Sequence, residues 1–322
     1  MKKKTFILIE AVLALLFIAL AFVMFQGKTG KERGKISVIV QNSNDNQWAA
    51  FKYVLKMAAQ DRGVEVFVVS TEGALTPEEE KSIIEREMEN GADALIIQPA
   101  WSADTEKMLK NIQKRIPVML VEHMPGKDRE KSPFPAVKPD NYEMGKVLAE
   151  ELLRDYNGKI EGKTVGIFAE TEESEAVVSR AQGFRDVLKD TGASVNWFVS
   201  GIIPEDGENP LESQAKVDFV AALDDDSLTA AGACSAANNL HGALVYGIGN
   251  STEAVYYLDT GFAECLVVPD EFNVGYESLT EIAGSIKKPL REIKSREVSY
   301  TVIRKDTLFS KENQEILFTM SQ

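Results

Sequence analysis

Polar residues collect at the carboxyl ends of apolar runs in this 322-residue chain. Their types suit hydrogen bonding to a small polyhydroxylated molecule more than bond-breaking chemistry. The first group is Asn44, Asp45, Gln47 and Trp48, within and just after the polar run Gln41-Asn-Ser-Asn-Asp-Asn-Gln47. Amides and a carboxylate exchange hydrogen bonds with hydroxyls, and a large aromatic ring offers an apolar face for stacking. Gln98 follows Ala94-Leu-Ile-Ile97, and Glu122 with His123 follows Ile116-Pro-Val-Met-Leu-Val121. Further along come Glu170–Ser174, Asp224-Asp-Asp226, Asn250 after Gly247-Ile-Gly249, and Asp270 after Pro269. In this reading Trp48 stacks, Asp45, Gln47, Gln98, Glu122 and Asp226 accept hydroxyl hydrogens, and His123 and Asn250 donate. Each residue also has a plainer reading. Loop polarity solvates a connection, Trp48 packs at a helix start, and Asp224 and Asp225 complement a helix macrodipole.

Catalytic and metal chemistry find little support. Two histidines and no Cys-x-x-Cys or His-x-x-x-His spacing argue against zinc. No nucleophile elbow, phosphate loop or triad spacing occurs. Gly247-x-Gly249 begins a dinucleotide fingerprint, but Thr252 occupies its third glycine position. Neither an enzyme, a cofactor nor a metal is expected. Residues 36–322 carry 29 basic and 48 acidic residues, a balance of −19. Phosphates would be repelled, so a nucleic-acid partner is not expected. Cys234 and Cys265 sit in apolar contexts and read as small core residues.

The elements that must position these groups alternate regularly. Ile36-Ser-Val-Ile-Val40 has the β-branched composition of a buried strand. Trp48 opens a helical stripe with Phe51, Leu55 and Ala58, closed by Gly63. Strands follow at Val64–Ser70, Ala94–Ile97 and Ile116–Val121. Between them lie helices, one announced by the capping box Thr76-Pro-Glu-Glu79 and one by Ser102. A break rich in charge and proline covers Pro125–Pro135. The alternation then resumes with a helix from Asp140-Asn141 to Leu153. Strands are expected at Thr164–Ala169, Val195–Val199, Asp218–Leu223, Ala243–Tyr246 and Cys265–Val268. Ser227 caps a helix through Leu240, Phe272–Ile286 is helical, and Glu297–Val302 is a final strand. Repeated strand–helix steps imply two α/β lobes with parallel, doubly wound sheets. In such sheets ligands bind outside the carboxyl ends of the strands, where the polar groups lie.

Ahead of the first strand, Met1-Lys-Lys-Lys4 precedes Phe6–Phe25, about 20 residues that are apolar except for Glu10, enough to span a bilayer core. The apolar run continues past Ala19-Leu-Ala21, so an uncleaved anchor is expected rather than a signal peptide. The expected arrangement is a cytoplasmic tail, one transmembrane helix and the flexible linker Gly27–Gly34, with the rest of the chain outside the cell membrane.

The order of motifs resembles the type I periplasmic sugar-binding proteins of the ribose-binding kind. It rests on Asn44-Asp-Asn-Gln-Trp48, Gly91-Ala-Asp-Ala-Leu-Ile-Ile-Gln-Pro99 and Ile116-Pro-Val-Met-Leu-Val-Glu122-His123. Pro139-Asp-Asn141-x-x-x-Gly145, Arg180-x-x-Gly-Phe184 and the helix start from Asp226 complete it. The resemblance implies two lobes joined by three crossover strands and closing on a small polar ligand. Residues 35–139 plus 270–296 would form one lobe, 140–269 plus 297–322 the other, and 1–34 the tail, anchor and linker. It also implies a membrane partner, either an ABC permease or a sensor kinase. Some positions depart from the family pattern. An aromatic is replaced by Gln47, the usual Asp-Arg pair becomes Glu122-His123, and a ligand-contacting arginine falls on Val178. The expected carboxylate after the Tyr246 strand falls on Gly249 beside Asn250, and the closing amide falls near Pro269-Asp270. The same fold serves DNA-binding regulators, but these need a helix-turn-helix where this chain has its apolar span. The lost charges also leave open a non-sugar ligand or a sensor that binds none.

Overall fold

The computed structural model describes residues 33–43, 48–73, 75–100, 102–125, 133–172, 174–201, 209–288 and 291–318. The stretch Phe6–Phe25 lies outside the described residues, and no described helix is long and apolar enough to cross a membrane.

Strands β1 (Lys35–Ile39), β3 (Ala94–Ile97) and β4 (Val118–Val121) are apolar runs buried along almost their whole length. Continuous burial is what a parallel sheet covered on both faces demands. They form the centre of a six-stranded sheet with β2 (Glu65–Val68), β5 (Ala136–Pro139) and β11 (Arg296–Val298), in the order β11-β5-β4-β3-β1-β2, all parallel. Helices α1 (Ala49–Arg62), α2 (Pro77–Glu89) and α3 (Ala103–Gln113) connect its strands. The expected starts are observed. Thr76 makes a complete capping box with Glu79, Pro77 is the first helical residue, and Ser102 accepts from the Asp104 N–H. Gly63 ends α1 at φ 62°, a left-handed conformation that glycine adopts without steric cost.

The second sheet repeats the plan with β6 (Thr164–Ala169), β7 (Ser194–Ser200), β8 (Phe219–Ala222), β9 (Leu244–Ile248), β10 (Cys265–Pro269) and β12 (Tyr300–Arg304), in the order β12-β10-β9-β8-β6-β7. It differs in one respect: β12 runs antiparallel to β10. Helices α4 (Asn141–Asp155), α5 (Glu175–Leu188), α6 (Asp225–Ala236) and α7 (Thr252–Thr260) cover it. Helix α8 (Glu271–Lys287) returns to the first lobe, where Val274, Leu279 and Ile282 join Phe51 and Leu55 in one core. The chain therefore passes between the sheets three times, after β5, after β10 and between β11 and β12.

Four local expectations are corrected. The run Glu297–Val302 is two strands in two sheets, divided at Ser299. Asp224, not Ser227, is the N-cap of α6; Ser227 is its capping-box partner, and the helix ends at Ala236 rather than Leu240. Strand β5 begins right after the proline-rich break, paired with β4 and β11. A last helix, α9 (Lys311–Phe318), follows β12 and has no counterpart in the sequence reading. Cys234 and Cys265 are buried free thiols in the second lobe's two core clusters.

Candidate functional site

A cavity of about 250 Å³ lies between the lobes at the carboxyl ends of both sheets. Its first wall carries Gln41, Trp48, Gln98, Glu122, His123 and Glu271, and its second carries Glu170, Arg180, Asp224–Asp226 and Asn250. Groups at the ends of β1, β3 and β4 thus face groups at the ends of β6, β8 and β9.

The first wall is built of groups that hold each other. Gln98 Oε1 accepts from the Gln41 backbone N–H at 2.8 Å, and Gln41 Nε2 donates to the Pro99 carbonyl at 3.2 Å. This pair locks the ends of β1 and β3 and leaves the Gln98 amino group as a donor. Trp48 is 3% exposed; its Nε1–H donates to the Gln41 carbonyl at 3.0 Å and its ring meets Phe51 edge-on at 5.3 Å. The indole is anchored in the lobe core, so a freely presented stacking plate is not what this position offers. His123 is also buried, and its Nε2–H donates to the Pro99 carbonyl at 2.8 Å. Burial pushes its pKa down to about 4, so the ring is neutral and its N–H already engaged. The donor role expected of His123 is corrected accordingly. Asn44, Asp45 and Gln47 lie outside the described residues.

Glu122 sits at φ 70°, a strained backbone conformation for this residue. Its carboxyl group is within hydrogen-bonding reach of Glu271, the first residue of α8. Glu122 Oε1 and Glu271 Oε2 are buried and find no donor among the described residues. Burial raises the pKa of both acids, Glu271 well above the usual range. Two facing carboxyl groups out of water resist ionising together, and the charge of Arg180 partly offsets that resistance. The neighbouring residue Asp270 was the expected ligand group, and here the reading is corrected. Asp270 caps α8, accepting from Asn273 N at 3.0 Å and from Ser299 Oγ at 3.2 Å, and it is not part of the cavity wall.

The second wall is acidic around one guanidinium. Arg180 on α5 is 7% exposed; its Nε–H donates to Asn141 Oδ1 at 2.8 Å and its Nη1–H to the Leu223 carbonyl at 2.7 Å. The charges of Glu122, Asp224, Glu271 and Glu175 all act on it. Its placement depends on two glycines. A Cβ on Gly145 would lie 1.9 Å from the Arg180 carbonyl oxygen, and one on Gly183 would lie 2.1 Å from that of Tyr142. Helices α4 and α5 therefore meet backbone to backbone, which brings Asn141 to Arg180. This explains the spacings Asn141-x-x-x-Gly145 and Arg180-x-x-Gly183. Val178, where the family's ligand-contacting arginine falls, is 40% exposed and does not line the cavity.

Asp224 accepts from Ser227 N and from Glu170 N, each within 2.9 Å. Asp225 Oδ1 accepts from the backbone N–H groups of Asn250 and Ser251. Asp224 thus caps its own helix as expected, whereas Asp225 braces the loop ahead of α7. Gly249 lets Asp225 approach, since a Cβ there would lie 2.4 Å from Asp225 Oδ1, and Gly247 likewise admits Leu228. Both glycines serve the packing of α6. Asp226 is exposed at the cavity wall, and Asn250 lies beside it. Glu170, just past β6, has its pKa raised to about 8 by burial and by Asp224 and Asp226. Arg180 and Glu271 are not among the strand-end groups that the sequence points to, whereas Glu170 is. Across the hinge, Lys138 on β5 holds Glu175 on α5 in a buried ion pair at 3.0 Å.

The periplasmic binding protein domain family matches residues 36–287. The chain belongs to that family. None of the curated proteins matches it significantly. Among solved structures it is similar to a carbohydrate transporter solute binding protein from Agrobacterium radiobacter in complex with D-arabinose. The TM-score is 0.76 at 19% identity, over 88% of this chain and 99% of the other. An ABC transporter solute binding protein from Agrobacterium vitis, bound with α-D-tagatopyranose, gives 0.76 at 16% over 88% and 99%. A glucose-galactose binding protein from Geobacillus stearothermophilus gives 0.74 at 20% over 86% and 99%. At these identities the likeness is one of fold. A periplasmic binding domain works outside the cytoplasm, in keeping with the expected extracytoplasmic side.

Proposed function

We propose that this chain is an extracytoplasmic solute-binding protein that captures a sugar or sugar-like molecule between its lobes for an ABC importer. The observation that carries this reading is the cavity of about 250 Å³ with polar side chains contributed by both lobes. The named ligands of the solved relatives support the sugar class, and their transporter descriptions support the importer. A ligand that bonds to both walls favours the closed arrangement, whereas one that touches a single wall shifts nothing. Gln98 and Glu122 on the first wall and Asp226 and Asn250 on the second are the contact groups in this reading. Asn44, Asp45 and Gln47, outside the described residues, are further contact groups in this reading, while Trp48 and His123 give the first wall its shape. The lobe boundaries fall at 139/140, 269/270 and, instead of the expected 296/297, at Ser299 between β11 and β12, and Phe6–Phe25 tethers the protein to the cell membrane as a single span. Such a tether also suits a ligand-sensing partner of a membrane histidine kinase.

Calorimetric titration with pentoses and hexoses tests the reading. The expected result is saturable binding that weakens at least tenfold in both Gln98→Ala and Asn250→Ala, one substitution on each wall. Binding that survives both substitutions contradicts capture between the lobes.

A further inference from the structure

The charge of the cavity is lopsided. Among the described residues its wall carries six carboxyl groups, those of Glu122, Glu170, Asp224, Asp225, Asp226 and Glu271, against the single guanidinium of Arg180. Asp224 and Asp225 are satisfied by backbone N–H groups. Arg180 is bound to Asn141 and Leu223. Glu122 and Glu271 remain, facing each other with one buried oxygen apiece that no described donor meets. Glu271 is 8% exposed. Opposite them, Glu170 is flanked by Asp224 and Asp226, and its side chain accepts no hydrogen bond among the described residues.

Anionic ligands are repelled by such a site. A neutral polyol can donate hydroxyl hydrogens to these acids but brings no charge to offset them. A cationic nitrogen lets them ionise, and a buried carboxylate is stable when it has a hydrogen-bonded partner of opposite charge. We infer that the ligand of this cleft carries a protonated nitrogen, as an amino sugar does, and that its ammonium replaces a proton of the Glu122–Glu271 pair. The inference rests on the sugar-binding reading and narrows it. The balance is simple: the ammonium enters with its three N–H donors, and the displaced carboxyl proton leaves to solvent. The charged groups that act on this equilibrium come from both lobes. Arg180 on α5 and Asp270 at the start of α8 act on the pair, and Asp224 and Asp226 act on Glu170.

The test is calorimetric titration of the full chain with glucosamine, galactosamine and mannosamine, each against its parent hexose, at pH 7. Each titration is repeated in phosphate and in Tris. At least one amino sugar is expected to bind ten or more times tighter than its parent. Its heat should differ between the buffers by close to one proton released. Glu271→Gln should abolish both the preference and the proton release. Glu170→Gln gives a second variant on the opposite wall, expected to reduce the preference. A parent hexose that binds as tightly as its amino form, or an amino form that releases no proton, overturns the inference and leaves the sugar-binding reading standing. No binding of any hexose or amino sugar removes both.

Discussion

The two lobes share a strand order and face one cavity, yet their walls are made differently. The first wall is knit by neutral groups around its Glu122–Glu271 pair: Gln98 and Trp48 bond to the Gln41 backbone, and Gln41 and His123 to the Pro99 carbonyl. The second is held by charge: Arg180 sits among carboxyl groups, and two aspartates brace helix and loop through backbone N–H groups. Sheet topology, then, fixes where a site lies, and the residues that follow each strand fix its chemistry. Both walls carry groups that respond to pH: Glu122, Glu271 and His123 on the first, Glu170 on the second.

The largest expected effect strikes the charged wall. Arg180→Met leaves Asn141, the Leu223 carbonyl and the nearby acids without their buried cation. Breaking a buried pair from one side costs about 3–5 kcal/mol, read as a lower midpoint in urea. A loss under 1 kcal/mol would mean the acids hold themselves. On the first wall, Trp48→Ala removes a core ring and costs about 3–5 kcal/mol by the same measurement. If it instead weakens ligand binding with stability intact, Trp48 is a presented stacking group after all. Gly183→Ala forces α4 and α5 apart and costs about 1–3 kcal/mol, with Arg180 displaced from Asn141.

Glu170 and His123, one on each wall, titrate with opposite sign. Glu170 holds its proton up to about 8 in the fold but only to about 4.5 when unfolded. The native state binds more protons between those values, so stability falls as pH rises through that window. Glu170→Gln should make the decline shallower. His123 is held down to about 4 against an ordinary 6.5. There the unfolded state binds more protons, and stability falls as pH drops from 6.5 towards 4. His123→Gln should relieve that loss, provided the amide can still donate to the Pro99 carbonyl. Both slopes are readable from unfolding midpoints across pH 4–9. The smallest effect belongs to neither wall. Val178→Ala, at an exposed position, changes stability by less than about 0.5 kcal/mol.

Much of the scaffold is legible in the sequence because its signals are local. The Thr76-Pro77-Glu79 box, the Gly63 stop and the apolar runs of β1, β3 and β4 each state an element within a few residues. The split at Ser299 is not local: Glu297–Val302 reads as one strand, and only pairing with β5 and β10 divides it. The site shows the same limit. Strand ends point to Gln98, Glu122, His123, Asp226 and Asn250, and all five line the cavity. Asp270 misses by one residue because it became the helix cap and left the wall position to Glu271. Arg180 stands in plain view in the spacing Arg180-x-x-Gly183. Its meaning depends on a helix crossing that only the paired glycines of α4 and α5 reveal.

The most direct test of the central claim is thermal unfolding of the full chain against pentoses, hexoses and their amino forms. A ligand at 100 times its dissociation constant adds about 2.7 kcal/mol to the native state. Capture between the lobes predicts a clear rise in midpoint for at least one sugar or amino sugar, lost in Gln98→Ala and in Asn250→Ala. An unmoved midpoint across the whole panel would contradict it.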